Sequence, residues 1–147
     1  VILVADVDVW AHAATTANPP GVGLDAAVPV ASQAEMDDNS HVGRVLFLAP
    51  TGGPGLSLEE GVLDTQTFQF RWRGEQGNRD EAYADAEAFA QAGDAAVLRA
   101  PQPTVIGGRR VTVIQRIGGP PSYLASIGRQ VDFVASYAFT AASPLTD

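Results

Sequence analysis

The sequence predicts an α+β protein, with a mainly antiparallel sheet of four to five strands and two helices packed on one face. Three observations carry that expectation. Apolar and polar residues alternate sharply in 63–73, most cleanly from Thr67 to Arg73, and again from 130 to 140 apart from Val134 and Ala138, the period of half-buried strands. One long alanine-rich stretch, 78–98, repeats its apolar residues at helical spacing. Strand-like runs that neighbour each other in sequence are joined by Gly- and Pro-rich segments, which favours antiparallel pairing. At 147 residues the chain reads as a single domain spanning 1–147.

Residues 1–17 combine two patterns. Leu3, Val7, Trp10 and Ala14 share a helical face, whereas "ADVDV" also alternates; the reading adopted is a helix stopped before Asn18, Pro19 and Pro20. From 18 to 42, Pro, Gly, Asp and Asn are dense and no period is visible, which predicts a long connecting loop. "RVLFLAP" (44–50) is a short continuous apolar run, as in a strand buried on both faces. "TGGPG" should then turn the chain. "LDTQTFQFRWRG" (63–74) sends Phe68, Phe70 and Trp72 inward and Thr67, Gln69, Arg71 and Arg73 outward.

The helix of 78–98 has Asn78 as N-cap, with Glu81 three residues on in capping-box position. Its predicted apolar stripe is Ala82, Tyr83, Ala86, Phe89, Ala90 and Val97, and Gly93 should weaken its second half by about 1 kcal/mol. "TVIGGRRVTVIQRI" reads as a hairpin about Gly107-Gly108, with Val111, Val113 and Gln115 on one face. "GGPPSYLASIGRQVDFVASYAF" (118–139) predicts a stiff loop followed by the best strand, with Val131, Phe133, Ala135, Tyr137 and Phe139 on its inner face.

Composition narrows the chemistry. With no cysteine there is no disulfide, thiolate metal site or cysteine nucleophile. The net charge of −8, with all nine cations arginine, argues against wrapping nucleic acid. No apolar run reaches membrane-spanning length, and "VILVADVDV" lacks the basic flank of a signal peptide, so no membrane partner is expected and the start reads as mature sequence. The two histidines are far apart and no triad, nucleophile elbow or HExxH spacing occurs, so neither catalysis nor a cofactor is expected. Asp37, Asp38 and His41 form the only carboxylate–histidine cluster; a solvated turn explains it more simply than a cation site. "TGGPG" and "IGGRR" lack the spacing of phosphate loops and read as turns.

Four segments taken together carry a resemblance: "RVLFLAPTGGPG", "TFQFRWRG" followed by "DEAYADAEAFAQ", "RRVTVIQRIGGPPSYL" and "GRQVDFVASYAF". In this order and spacing they resemble the tail terminator (minor capsid, tail-completion) proteins of long-tailed bacteriophages. The resemblance covers roughly residues 42–141 and is specific only in combination. It implies a non-enzymatic virion protein, assembled in the host cytoplasm, that forms a hexameric ring at the head-proximal end of the tail tube. Such a ring stops tube polymerisation and joins the tail to the head connector, while genomic DNA passes through the lumen without specific binding. The implied partners are other copies of the chain, the tail tube protein and the head–tail connector or stopper. On that reading Arg71, Trp72, Arg73, Gly118, Gly119, Pro120, Pro121, Tyr123 and Arg129 are the interface candidates, since arginine, aromatics and rigid loops suit a docking edge. Trp72 alternates with Phe68 and Phe70, which favours the core for it. A head-completion or neck adaptor is the alternative within the virion; a small ligand- or metal-binding α+β enzyme is a further one.

Overall fold

The computed structural model describes residues 2, 4–12, 22, 24, 29–32, 42–56, 63–127 and 129–142. Among these the elements are α1 (Val4–His12), β1 (Val30–Ser32), β2 (Val45–Leu56), β3 (Leu63–Arg73), α2 (Arg79–Arg99), β4 (Thr104–Ile106), β5 (Arg109–Ile127) and β6 (Gln130–Ala142). The strands form one sheet in the order β1-β2-β3-β6-β5-β4. Every pairing is antiparallel except that of β1 with β2. The α+β class with a mainly antiparallel sheet is as the sequence predicts; β1 adds a short parallel strand at one edge.

Alternation decides which face of the sheet becomes the core. Phe68, Phe70 and Trp72 of β3 stand opposite Tyr137, Ala135 and Phe133 of β6, and all six are buried. Their rings interlock: Phe70 lies 4.9 Å from Tyr137 and Phe68 lies 5.5 Å from Phe139, both edge to face. Each such pair contributes about 0.5–1.5 kcal/mol beyond the area it buries. Both helices cover this face. Trp10 of α1 meets Phe139 edge-on at 5.7 Å, and Ala82, Ala86, Phe89, Ala90 and Val97 of α2 join the same cluster. The Gln66 side chain accepts from the Ile2 amide and donates to the Ile2 carbonyl, fastening the N-terminal segment to β3.

Helix α2 starts where its cap predicts. The Asn78 side chain accepts from the Glu81 amide at 2.9 Å, satisfying one of the donors a helix start leaves free. Gly93 has a role that propensity does not reveal. A Cβ there would overlap the Trp72 indole, so the missing side chain lets α2 lie directly on β3. Tyr83 leaves the predicted apolar stripe: it is 41% exposed, and its ring packs on Tyr123 and Phe133 at the margin of the core.

Four loop or face expectations are corrected. Residues 18–42 contain β1, which pairs with 46–48 of β2; three residues are too few to show a period. The helix end at Asn18 to Pro20 lies outside the described residues. "TGGPG" does not turn the chain. β2 continues through it to Leu56, with register shifts between Pro50 and Gly52 and between Gly52 and Gly55, because bulges absorb extra residues without ending a strand. Likewise Gly118–Pro121 lie inside β5 rather than in a separate loop. Finally, Val111 and Val113 do not share a face. The register shifts between them, leaving Val111 buried opposite Ala141 and Val113 exposed opposite Thr140.

The β4–β5 hairpin forms as predicted. Ile106 pairs with Arg109, and Gly107 and Gly108 have φ of 62° and 77°, the positive values both centres of a type I′ turn require.

Candidate interaction surfaces

The arginine strand ends in a buried ion cluster, not on the surface. Arg71 and Arg73 project from the side of β3 opposite Trp72, and the register sets Arg73 beside Asp132 of β6. Arg73 binds that carboxylate through two nitrogens, at 2.7 and 3.0 Å. Arg71 adds a third bond at 2.7 Å. Arg73 is fully buried, Asp132 is 1% exposed, and the Arg73 guanidinium lies 4.6 Å from the Phe47 ring centre. Trp72 and Arg73 therefore lie inside the fold and are not surface anchors. Outward alternation does not make this face solvated, because Val45 and Phe47 of β2 form a second apolar cluster on that side.

Arg71 stays on β3 with 14% of its side chain exposed, and the other candidates gather on the β5–β6 hairpin. Between the pairs Ile117–Ser136 and Ser122–Val134, β5 advances five residues against two of β6, leaving three extra residues in a wide bulge. The bulge carries Gly118, with φ of 79°, Gly119, Pro120 and Pro121. Prolines are tolerated there because bulged residues owe no ladder hydrogen bond. Beyond it Tyr123 is 48% exposed on the helix side of the sheet. Arg129 is exposed in the turn that closes the hairpin, where Ile127 pairs with Gln130.

Tyr123 and Arg129 share a cleft of about 460 Å³, walled by Asn78, Arg79 and Ala82 at the start of α2 and by Val131 of β6. Sequence reasoning missed Arg79; its place at the first turn of a capped helix was the available signal. On the other flank of the same helix, Glu75, Gln76, Glu81 and Asp85 line a hollow of about 230 Å³. Arg44 binds Asp85 at 2.8 Å, and this hydrogen bond holds the Asp85 carboxyl below its ordinary range. Asp85 also accepts from the Glu75 amide at 2.7 Å.

One further polar cluster has a structural explanation. Asp94 accepts from the Tyr137 hydroxyl at 2.5 Å and from Arg116 at 2.6 Å, tying α2 to β6 and β5. Burial pushes the Tyr137 phenol far above its ordinary value, and the bond to Asp94 raises it further. An apolar cavity of about 220 Å³ lies beside Gly93, lined by Trp72, Phe89, Val97 and Leu24 among others. Asp37, Asp38 and His41 lie outside the described residues. Among the described residues no group of three or more His, Cys, Asp or Glu is placed to hold a metal ion, and no helix is long and apolar enough to cross a membrane.

No protein-family model matches the chain, and no curated protein matches it.

Proposed function

We propose that this protein is a ring-forming structural subunit of a phage virion, a tail terminator at the head-proximal end of the tail tube. In that role it stops tube growth, contacts the tail tube protein on one side and the connector on the other, and lets DNA pass through its lumen. The observation that carries the reading is apolar surface left open on an otherwise well-filled sheet. Val105, Val113 and Ile117 are 64%, 45% and 47% exposed on the side away from the helices, and Leu124 is 44% exposed on the hairpin. Large apolar side chains left open on a sheet are surface that association can cover. The four segments that carry the family resemblance also fall on adjacent strands, β2, β3, β6 and β5, with α2 across them. A net charge of −8 suits a channel wall past which DNA slides, since like charge prevents sticking.

Electron microscopy of the purified protein, alone and added to tail tubes, tests this. Six-fold rings that cap one end of the tube are expected. Twelve-fold rings would move the protein to the portal side. A particle that stays monomeric by light scattering and leaves tube ends bare would overturn the proposal.

A further inference from the structure

The two hollows beside α2 carry opposite charge. In the cleft on the β5–β6 side, Arg79 and Arg129 are exposed and enter no ion pair among the described residues. Four other arginines, Arg44, Arg71, Arg73 and Arg116, are held by carboxylates of this same chain. Arg99 and Arg110 are likewise exposed and outside these ion pairs, but Arg79 and Arg129 share one cleft. In the hollow on the β2 side, Glu75 and Glu81 are exposed and likewise outside any ion pair among the described residues.

Position fixes how the two could meet. The acidic hollow is anchored to β2 by the Arg44–Asp85 pair, and the basic cleft is anchored to β5 by the Tyr83–Tyr123 ring contact at 5.7 Å. In the sheet β2 and β5 lie on either side of the central pair β3–β6. The acidic hollow thus opens toward the β2 side of the start of α2 and the basic cleft toward the β5 side. Matching patches that face apart make a head-to-tail contact, the kind that closes into a ring rather than a two-fold dimer.

We infer that the basic cleft of one copy receives the acidic hollow of the next, with Arg79 and Arg129 facing Glu75 and Glu81 of a second copy of this chain. The inference rests on the ring reading above and gives that ring its subunit contact. Tyr83 and Tyr123, both about half exposed beside the cleft, supply the aromatic surface around which charged rims work best.

Paired charge reversals test it by analytical ultracentrifugation. The variants are Arg79→Glu with Arg129→Glu, and Glu75→Arg with Glu81→Arg, all exposed positions. Each double variant alone should self-associate at least tenfold more weakly than wild type. An equimolar mixture should reassemble, because every contact then joins a positive patch to a negative one. If both variants assemble as wild type does, or if two folded variants stay apart when mixed, this contact is wrong and the ring needs a different one. A wild type that never associates sinks the ring reading and the contact together. Salt provides a check that needs no variant: wild-type association should weaken at least tenfold between about 0.05 and 0.5 M NaCl, because exposed charges are screened over that range. Salt-independent assembly would overturn the charge pairing.

Discussion

Replacing Asp132 by Asn tests the buried ion cluster directly. The carboxylate accepts three hydrogen bonds of 2.7–3.0 Å from Arg71 and Arg73. Asn has the same shape but carries one acceptor oxygen and no charge, and its amide group would point N–H at a guanidinium. Arg71 keeps partial access to water at 14% exposure, whereas Arg73 has none. Breaking a buried pair while leaving one charge inside costs about 3–5 kcal/mol. The Phe47 ring remains under Arg73 and offsets part of that loss, so the expected destabilisation is about 3 kcal/mol. For a chain of this length that corresponds to a fall in Tm of about 10 °C. Urea titration and thermal melts at one fixed protein concentration measure it, since any association adds stability by mass action. Asp85→Asn is the internal control: its partner Arg44 is 39% exposed, and partly exposed pairs contribute less than about 1 kcal/mol. An Asp132→Asn protein within about 1 kcal/mol of wild type, or no worse than Asp85→Asn, would refute the claim that this carboxylate sustains the buried Arg73.

Two other substitutions separate local from tertiary effects. Gly93→Ala should destabilise by about 1–2 kcal/mol, because crowding the Trp72 indole outweighs the roughly 1 kcal/mol that alanine gains in an open helix; a stabilised variant in chemical denaturation would show that α2 does not rest on Trp72. Tyr137→Phe should cost about 1.5–3 kcal/mol at neutral pH by removing a hydroxyl bound to the buried Asp94 carboxylate. It should also alter the alkaline limb. The folded phenol holds its proton more tightly than the unfolded one, so its contribution is complete below the ordinary tyrosine value near 10 and falls as pH rises beyond it. Wild type should therefore lose up to about 1.4 kcal/mol per pH unit there from this group. Equal slopes for Tyr137→Phe and wild type would contradict that assignment.

Local patterns in the chain determined a good deal. The alternation of 63–73 and 130–140, the Asn78 cap and the Gly107-Gly108 turn each depend on residues within a few positions of one another, and each forms as the pattern predicts. Period, capping and turn chemistry act at short range, so they are readable without knowing the partner. The tertiary structure decided everything that depends on register. Arg73 meets a carboxylate 59 residues away, which makes the outward-alternating end of β3 a buried cluster. Bulges carried β2 and β5 through Gly- and Pro-rich segments that look like breaks, and one of them put Val111 and Val113 on opposite faces. Tyr123, Arg129 and Arg79 became one cleft because α2 crosses the sheet where the β5–β6 hairpin ends. A one-residue shift between strands moves every later side chain to the other face, and only the packed partners set that shift.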